Sequence, residues 1–557
     1  MPPVHSKEWK TLFIQCSGRV RQGRTSPCEH ACPAGNLIQK MHTLIEHGDA
    51  DEALRWLHAR NPFPGITGRT CPHPCESECN RAKHDEATAI HCLERFTADH
   101  GRRAVFTPLP SSGKTIAVIG AGPAGLAAAH YAALLGHAVE VYECSPVMGG
   151  IPRQAIPDFR LPKDVADREI AAAIEGSVMV RTNIRVGRDI MLRDIVSRHD
   201  AVLLSIGLWK ERILDLPGKE YLQPAVHWLK KTTLERKSLE GQDVAIVGGG
   251  GVAFDCAFTA RRLKARSVHI LCVESEACLR APAEEVGQAR REGIELHPSL
   301  LSRRIEEADG RFRIVSDRVT AFSFDAAGKL QAETDGSQQE LAADCLICAS
   351  GLMLDEGALR GVELARSPRG FIQVDGMFQT SHPGLFAAGD AASGPGLVAA
   401  AIASGRKAAV AMHSFLNGTD APMDIWVDQE GQVRAESAKE QRGQHVVAFE
   451  EIMNISYHEH APRACPVELK PIPGVAFQEI AGGLEEDDAR KEAGRCLHCG
   501  HCMECGSCVE SCPGHILEMT DDGPRVAYPR QCWHCGCCRI ACPTGSIAYV
   551  FPLNMMV

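Results

Sequence analysis

Two near-identical cysteine runs lie at the C-terminal end of the chain, and they constrain its fold more than any other feature. Each run has the spacing Cys-x2-Cys-x2-Cys-x3-Cys-Pro. In a two-cluster ferredoxin the first three cysteines of a run bind one cluster and the fourth binds the other. The pattern therefore predicts two [4Fe-4S] clusters, the first held by Cys502, Cys505, Cys508 and Cys542 and the second by Cys532, Cys535, Cys538 and Cys512. Structural zinc is the alternative, although zinc ribbons rarely have this spacing.

Composition and charge exclude several classes of protein. The chain has 557 residues, of which 44% are hydrophobic, so it is long enough for about three or four folded domains. Its formal net charge of -10 argues against nucleic acid as a partner. No run of about 18 apolar residues occurs, and the N-terminus lacks an apolar core, so we expect neither a membrane span nor a signal peptide. Because 25 cysteines occur without a secretion signal, we expect a cytoplasmic protein whose thiolates bind metal.

A glycine-rich turn connects the apolar strand 115–119 to an Ala-rich helix. Its first glycine permits the tight turn, its second lets the backbone approach a pyrophosphate, and its third allows close helix packing. Glu143, at the end of the next strand, is placed to accept hydrogen bonds from ribose hydroxyls. These features together predict a bound dinucleotide, and a turn that serves packing alone is the alternative. The residues expected to contact it in the turn are Gly120, Gly122, Pro123, Ala124 and Gly125.

A second turn of the same kind follows the strand 243–247 and predicts a second dinucleotide site at Gly248, Gly250, Gly251 and Ala253. Two such sites in one chain suggest a tightly held flavin, FAD, and an exchangeable nicotinamide. Neither alone connects hydride chemistry to iron-sulfur clusters. The flavin accepts a hydride as two electrons and passes them on singly.

A later segment is similar to the one that closes the flavin site in flavoproteins with two dinucleotide domains. It contains Gly389 and Asp390 and is followed by an Ala-rich helix that begins at Val398. An ordinary Gly-Asp turn before a helix is the alternative interpretation. We also expect Gly150, Gly207 and Gly351 to contact the cofactors.

These motifs define the expected architecture, a multidomain α/β protein. A Pro/Ser/Gly stretch at Pro108–Gly113 separates a cysteine-rich helical region from alternating strands and helices. The expected parts are a helical iron-sulfur domain at 1–110, a discontinuous Rossmann-like FAD domain at 111–225 and 346–422, an NAD(P)H domain at 226–345, a linker at 423–490 and an α+β bacterial-type ferredoxin domain at 491–557.

The N-terminal cysteines form a less regular pattern. They comprise Cys28-x3-Cys32-Pro33 and Cys71-x3-Cys75-x3-Cys79, with Cys16 further upstream. This spacing predicts one cluster and leaves room for a second.

In this order, the parts resemble the glutamate synthase small-subunit family, whose fold also forms the N-terminal half of dihydropyrimidine dehydrogenase. The resemblance covers nearly the whole chain. Besides the two glycine-rich turns, it rests on Cys28-x3-Cys32-Pro33, Gly65-Ile-Thr-Gly-Arg-Thr-Cys71-Pro72, Gly149-Gly-Ile151 with Ile156-Pro157, Arg160-Leu-Pro162 and Gly389-Asp390.

The resemblance implies an N-terminal cluster with three cysteines and a fourth ligand, Gln or Glu, from a downstream helix. In this sequence these are Cys32, Cys71, Cys75 and Glu94. A solvated helix acid is the other interpretation of Glu94, and Cys92 is a competing ligand.

The sequence departs from the family at the second N-terminal cluster. Relatives have a Cys-x2-Cys pair shortly before the position of Cys28, and this chain has none there. Cys16, Cys28 and Cys79 remain to match that site, which would need an unusual fourth ligand. The chain is therefore expected to hold three or four [4Fe-4S] clusters.

A second departure concerns the nicotinamide. NADP-using relatives have arginines at the end of the second strand of this domain, where they pair with a 2′-phosphate. Here that strand ends at Glu274, whose carboxylate would repel the phosphate and accept hydrogen bonds from a free ribose diol. We therefore expect NADH to be favoured over NADPH. NADPH is the alternative, because Arg280 and the pair Arg261-Arg262 could bind its 2′-phosphate.

The ferredoxin tail is absent from the glutamate synthase small subunit itself. It is similar to a fused branch that includes the NAD(P)H:acceptor oxidoreductase associated with dissimilatory sulfite reductase, and relatives that serve 2-oxoacid oxidoreductases. The resemblance implies a redox partner protein, either dissimilatory sulfite reductase or a ferredoxin, and a role in sulfur metabolism. The pair Cys496-x2-Cys499, just before the tail, is as consistent with spare thiols as with metal ligands. Cys465 and Cys537 are expected not to bind metal.

We therefore expect an FAD-dependent iron-sulfur oxidoreductase that moves electrons between NADH and a partner protein. Hydride transfer needs stacked rings and no acid or base, so no catalytic side chain is named. The alternatives are the small subunit of a glutamate-synthase-like complex and a non-catalytic nucleotide-binding scaffold. The sequence leaves open the direction of electron flow, electron bifurcation and a homodimer.

Overall fold

The computed structural model describes residues 24–176, 178–326, 328–419, 423–427, 431–437, 445–467, 469, 477–520, 523–528, 531–533 and 535–547. Cys16 lies outside these residues. Within them, no helix combines the length and the apolar character needed to cross a bilayer.

The N-terminal part consists of short helices, several of which have cysteines within them or just after them. Three of these helices carry proline in the first turn, where its missing N–H costs no hydrogen bond. A common core holds them together through buried side chains that include Ile38, Met41, Leu57 and Leu93. The helices are α1 (Pro27–Ala31), α2 (Ile38–Glu46), α3 (Ala50–His58), α4 (Pro64–Thr70), α5 (Pro74–Ser77) and α6 (Ile90–His100).

A first α/β unit follows. Its first helix is apolar on every side and enclosed by the protein, as is typical of a helix between a parallel sheet and another helix layer. The elements are β1 (Thr115–Ile119), α7 (Pro123–Leu134), β2 (Ala138–Tyr142), α8 (Gly150–Gln154), α9 (Lys163–Ile174), β3 (Val178–Arg181), α10 (Leu192–Val196) and β4 (Ala201–Leu204).

The chain then enters a second α/β unit with its own sheet. The elements are β5 (Gln223–Pro224), α11 (Ala225–Glu235), β6 (Asp243–Val247), α12 (Gly251–Arg262), β7 (Ser267–Leu271), α13 (Ala283–Arg291), β8 (Glu295–His297), β9 (Leu300–Ala308), β10 (Arg311–Phe324), β11 (Leu330–Ala343) and β12 (Cys345–Cys348). The parallel sheet has the order β8-β7-β6-β12-β5, and β9-β10-β11 form a separate antiparallel sheet.

After the second unit the chain returns to the first through β13 (Leu385–Ala387), α14 (Asp390–Ser393) and α15 (Val398–Leu416). The first sheet thereby gains its fifth strand, with the parallel order β13-β4-β1-β2-β3. The two crossings between the units pair with each other, because Lys210–Glu211 and Leu352–Met353 form a short antiparallel ladder. The return therefore starts after β12, which pairs with β6 of the second sheet, and not at the expected residue 346.

The segment expected to be a linker has structure of its own. A hairpin of β14 (Met423–Val427) and β15 (Val433–Ser437) contributes Ile425, Val427 and Val433 to the core of the first unit. Further on, α16 (Glu486–Gly494) packs on the N-terminal helices through Ala489 and Ala493, and it crosses the expected boundary at residue 490. The C-terminal part of the chain thus completes the N-terminal domain.

The tail has the elements α17 (Ser507–Glu510), β16 (Leu517–Thr520), β17 (Gly523–Val526) and α18 (Cys537–Ala541). Its two strands form an antiparallel pair, and the two helices each follow the second cysteine of a run.

Candidate functional site

The first glycine-rich turn, between β1 and α7, presents its backbone to an open space. Gly120 has φ +102°, and a Cβ there would lie 2.5 Å from the carbonyl oxygen of Ser205. A Cβ on Gly125 would lie 2.0 Å from the carbonyl oxygen of Gly120, so only glycine allows α7 to pack this closely. A Cβ on Gly122, in contrast, would meet no atom within 4 Å. The turn therefore leaves room for a ligand beside Gly122, at the N-terminus of α7.

Glu143 follows β2, and its carboxylate is held beside this turn. Its Oε2 accepts a hydrogen bond from the backbone N–H of Ala121 at 2.8 Å, and its Oε1 accepts one from the backbone N–H of Ser145 at 2.7 Å. The residue is only 6% exposed. A carboxylate fixed in this way fits the ribose of a dinucleotide.

A cavity of about 1810 Å³, part of it open to solvent, extends from this turn to the return segment. Burial in this cavity raises the carboxyl pKa of Asp390 to about 6. Gly125 lies behind the turn, in the packing position predicted for it. The expected cofactor-binding residues that line the cavity are Gly120, Gly122, Pro123, Ala124, Glu143, Gly150, Gly207, Gly389, Asp390 and Val398.

Several polar and aromatic residues of this cavity were not predicted from the sequence, among them Gln154, Arg185, Trp209, Lys230 and Asp355. Lys230 Nζ donates a hydrogen bond to Gln154 Oε1 at 2.8 Å and lies 5.7 Å from the centre of the Trp209 ring. Lys230 belongs to α11, so the second α/β unit also contributes to the cavity. None of these residues belongs to a motif of recognisable spacing. Trp209, two positions after Gly207, is the one residue among them that the sequence could have indicated.

The second glycine-rich turn, between β6 and α12, has the same form as the first. Gly248 has φ +143°, and a Cβ there would lie 2.4 Å from a backbone carbonyl oxygen just after β12. Cβ atoms on Gly250 and Gly251 would meet nothing within 4 Å, and Ala253 is fully buried in the first turn of α12. This turn also leaves its backbone open to a ligand.

Glu274 and Gly351 lie close to the second turn. Glu274 is 7% exposed, and its Oε2 would lie 2.8 Å from a Cβ on Gly249 in the turn. Arg280 Nε is 3.6 Å from Glu274 Oε1. Gly351 has φ +112° and follows β12, the neighbour of β6 in the sheet. These positions are at the carboxyl ends of adjacent parallel strands, where α/β proteins bind nucleotides.

Cys32 and Cys71 lie close to Glu94, and Cys75 lies close to these two cysteines. Cys32 and Cys71 follow directly on α1 and α4, and Cys75 lies in α5. Burial raises the pKa of Cys71 to about 12, and the negative charge of the nearby Glu94 carboxylate adds to this rise. Burial and then Glu94 also raise the pKa of Cys32, while burial and the Cys32 thiolate raise that of Cys75. The four groups that the family resemblance assigns to one site are therefore neighbours.

Glu94 itself lies inside the domain and is 8% exposed, which excludes a solvated surface acid. Its Oε1 accepts hydrogen bonds from Thr67 Oγ1 and from Asn61 Nδ2, and burial raises its pKa. The competing ligand Cys92 lies against His91 instead, with its Sγ 3.4 Å from Nε2.

Two cavities in the tail are each lined by one of the cysteine sets that the crossed pattern predicts. The first, a space of about 290 Å³ that is partly open to solvent, is bordered by Cys502, Cys505, Cys508 and Cys542. The second, a space of about 370 Å³ that is also partly open, is bordered by Cys512, Cys532, Cys535 and Cys538. Because the fourth cysteine of each set comes from the other run, the donor sets fit two cubane clusters.

Cys28 and Cys79 are the cysteines that the spacing left for a second N-terminal site, and Cys28 also lies near Cys75, whose pKa it helps to raise. Cys28 and Cys79 both lie beside Cys496 and Cys499, at the start of the tail.

Three family models match the chain. Residues 114–405, more than half of its length, match pyridine nucleotide-disulphide oxidoreductase. Residues 5–105 match dihydropyrimidine dehydrogenase domain II, 4Fe-4S cluster, and residues 501–546 match a 4Fe-4S dicluster domain. These matches confirm the predicted fold class.

Similar proteins extend over most of the chain. It is 34% identical over 517 residues to the NADP(+)-dependent formate dehydrogenase subunit beta of Moorella thermoacetica, covering 85% of this chain and 70% of that one. It is 31% identical over 463 residues to a glutamate synthase (NADPH) small chain of Mycobacterium tuberculosis, covering 75% and 93%. It is 27% identical over 514 residues to the NADPH-Fe(3+) oxidoreductase subunit beta of Geobacter sulfurreducens, covering 85% and 75%. The chain therefore belongs to the glutamate synthase small-subunit-like family and is an NAD(P)H-dependent flavin and iron-sulfur oxidoreductase with a C-terminal ferredoxin domain.

Proposed function

We propose that the chain is an NAD(P)H:acceptor oxidoreductase that connects NADH, through FAD and [4Fe-4S] clusters, to a redox partner protein. The observation that carries this proposal is the course of α15 from the large cavity to the Cys32 site. α15 begins at Val398, which lines the cavity, and its Arg406 Nη2 lies 3.4 Å from the carbonyl oxygen of Ala34, two residues after Cys32. Eight positions separate the two ends of this path, a rise of about 12 Å in an α-helix.

The residues of the cavity have distinct tasks in this function. A bound FAD would supply the conversion between two-electron and one-electron chemistry that connects a nicotinamide to iron-sulfur clusters. The first turn and the N-terminus of α7 bind its pyrophosphate, and Glu143 orients its ribose. Asp390 and the start of α15 close the site from the return segment. No side chain is assigned a proton transfer, because hydride transfer requires stacking of two rings and no acid or base.

The environment of Glu274 supports NADH as the favoured nucleotide. Its buried carboxylate lies against the second turn, where it can accept hydrogen bonds from a ribose diol and would repel a 2′-phosphate. The three relatives described above are named for NADP(H), and Arg280, beside Glu274, is a cation that could pair with a 2′-phosphate.

Replacing Glu274 by arginine should reverse this preference. We expect the ratio of kcat/KM for NADH to that for NADPH to fall at least ~100-fold in Glu274→Arg, because a cation then faces the 2′-position. The measurement is anaerobic flavin reduction with each nucleotide. Arg280→Ala is the matched control and should lower kcat/KM for NADPH alone. A marked NADPH preference in the unchanged protein would overturn the role given to Glu274.

The tail is oriented so that its second cysteine set faces outward. The chain around the first set is docked on the rest of the protein, since Thr544 O accepts a hydrogen bond from the backbone N–H of Gly500 at 2.7 Å and Pro543 O lies 3.0 Å from His458 Nε2. Beside the second set, Trp533 is 66% exposed and Ile540 is 57% exposed. We therefore propose that the partner protein docks at the second set.

Trp533→Ala should weaken this docking. Aromatic side chains dominate the energetics of protein interfaces, so we expect kcat/KM for reduction of the partner to fall about 10-fold. NADH-driven flavin reduction should not change. Leu234→Ala, at an 80% exposed residue of α11, is the matched control and should affect neither reaction. If Trp533→Ala reduced the partner at an unchanged rate, the docking surface would have to lie elsewhere on the protein.

The partner we propose is dissimilatory sulfite reductase, a ferredoxin or a 2-oxoacid oxidoreductase, in a reducing, cytoplasmic compartment. The relatives named as subunits or small chains support a partner protein in general. The alternative function is that of a small subunit in a glutamate-synthase-like complex. Reduction of one of the proposed partner proteins by this chain would distinguish the two functions.

Anaerobic titration of the FAD-loaded protein with NADH tests the proposed function. We expect NADH to bleach the flavin, and the clusters and then each candidate partner to become reduced. If NADH leaves the flavin oxidised, the nucleotide folds serve only as a scaffold and the proposed function is wrong.

A further inference from the structure

Four cysteines from distant parts of the sequence meet beside α2. Cys28 lies in α1, Cys79 follows α5, and Cys496 and Cys499 follow α16. Burial raises the pKa of Cys496, and the thiolates of Cys28, Cys499 and Cys79 raise it further. Burial and then Cys28 and Cys79 raise the pKa of Cys499 in the same way. The four thiols are therefore electrostatic neighbours, although more than 400 residues of chain separate the two pairs.

Buried hydrogen bonds hold the C-terminal pair in this position. Gln39 Nε2, in α2, donates to the carbonyl oxygen of Cys499 at 2.9 Å, and Arg81 Nη1 donates to the carbonyl oxygen of Arg495 at 2.9 Å. Asn80 Nδ2 lies 3.4 Å from the Sγ of Cys499. An N–H donor directed at a sulfur is also one of the interactions by which proteins adjust the properties of iron-sulfur clusters.

The spacing of the thiols favours a cluster over a single metal ion, since no three of them lie within 4.8 Å of one another. Four sulfurs around one zinc, at Zn–S distances of about 2.3 Å, would lie about 3.8 Å apart. Among the described residues, the groups of three or more potential ligands within 4.8 Å of one another contain histidine and carboxylates but no cysteine. The two cysteine sets of the tail, which match the 4Fe-4S dicluster domain, share this wider spacing. None of the described cysteines is in a disulfide.

We propose that Cys28, Cys79, Cys496 and Cys499 hold a fourth [4Fe-4S] cluster. Cys496-x2-Cys499 supplies two ligands from the C-terminal side, and Cys28 and Cys79 supply two from the N-terminal side. All four ligands lie in the described part of the chain, so Cys16 is not required. The site stands on contacts: Asn80, beside Cys79, reaches the Sγ of Cys499, and Gln39 donates both to Glu29 Oε1, beside Cys28, at 3.1 Å and to the carbonyl oxygen of Cys499. Its role in electron transfer rests on the proposed function.

The position of this cluster makes it the connection between the flavin side and the tail. Cys28 and Cys32 are four residues apart along α1, a rise of about 6 Å, and Cys32 belongs to the Glu94 group. On the other side, Cys499 and Cys502 are three residues apart, so their Cα atoms are separated by at most about 11 Å. Each NADH that becomes NAD⁺ and a proton supplies two electrons. They cross this site one at a time, and no bond forms or breaks there.

The test compares full-length protein, reconstituted with iron and sulfide without oxygen, with the variant Cys496→Ser/Cys499→Ser. We expect about sixteen irons per chain in the unchanged protein and about twelve in the variant, with the loss of one cluster signal in the electron paramagnetic resonance spectrum of the reduced protein. FAD content and NADH-driven flavin reduction should persist, while reduction of the partner should fall at least ~10-fold. Cys278→Ser/Cys465→Ser, at two exposed cysteines, is the matched control and should keep all irons.

A second variant distinguishes loss of the cluster from a folding defect. Cys79→Ser removes a ligand from the other segment and should lose the same four or so irons and the same spectroscopic signal. About twelve irons in the unchanged protein with no loss in either variant would overturn the proposal, as would one zinc per chain in place of the fourth cluster. If the iron counts behave as expected but NADH does not reduce the flavin, the site stands and the proposed function fails.

Discussion

Removal of residues 502–557 is expected to abolish electron delivery to the partner protein and to leave NADH-driven flavin reduction within about twofold of the full-length rate. Both tail cysteine sets lie in the removed segment, whereas the flavin cavity and the Glu94 group lie entirely in the part that remains. Anaerobic stopped-flow absorbance separates the two reactions. Loss of both together would contradict the assignment of the tail as the exit to the partner.

The matched truncation ends at Gly494 and removes only seven further residues. It deletes Arg495, which is 5% exposed and pairs with Glu492 Oε1 at 2.7 Å and with Asp85 Oδ1 at 2.9 Å. Glu492, at 1% exposure, would lose its cationic partner, and breaking a buried ion pair from one side costs about 3–5 kcal/mol. This truncation should therefore unfold at clearly lower urea concentration than the first and lose the irons of the Cys28 site. Equal stability of the two truncations would show that 495–501 is not part of the N-terminal domain.

Features encoded by local spacing could be predicted from the sequence. Each tail cluster site is formed by two short runs whose helices and prolines fix the cysteines, so the crossed sets follow from the pattern. The two dinucleotide turns were recognisable for a similar reason, because Gly120 and Gly248 need backbone angles that few other residues adopt. The carboxylate of Glu143 then follows from the strand that ends just before it.

Features created by packing between distant segments could not be predicted. Cys496 and Cys499 reach Cys28 only because α16 packs on α2, and no local pattern specifies that contact. Lys230 enters the flavin cavity for a comparable reason, since the second α/β unit sits beside the first. The domain borders expected near residues 346 and 490 differ from those in the structure. The reason is that β12 pairs with β6 and α16 packs on the N-terminal helices, both far away in the sequence.

Gly122→Val is expected to yield a folded protein without FAD. Gly122 has φ -80° and ψ -177°, which any residue adopts, and a side chain there would meet no protein atom within 4 Å. The cost to folding should be about 1 kcal/mol, as for loss of a favourable helix N-cap. The added isopropyl group would occupy the space where the pyrophosphate approaches the backbone, so FAD affinity should fall at least ~100-fold.

The measurement combines flavin absorbance and iron content of the same purified sample. Iron should stay at the level of the unchanged protein, because none of the four cysteine-containing sites includes Gly122, and this separates loss of FAD from loss of the fold. Gly376→Val is the matched control, since it also places a side chain in open space at an exposed turn outside the cavity, and it should retain both FAD and iron. Full FAD content in Gly122→Val would place the pyrophosphate away from the first turn. Because flavin is the group proposed here to accept the hydride of NADH, the variant should also fail to reduce its clusters with NADH, while a chemical reductant still reduces them.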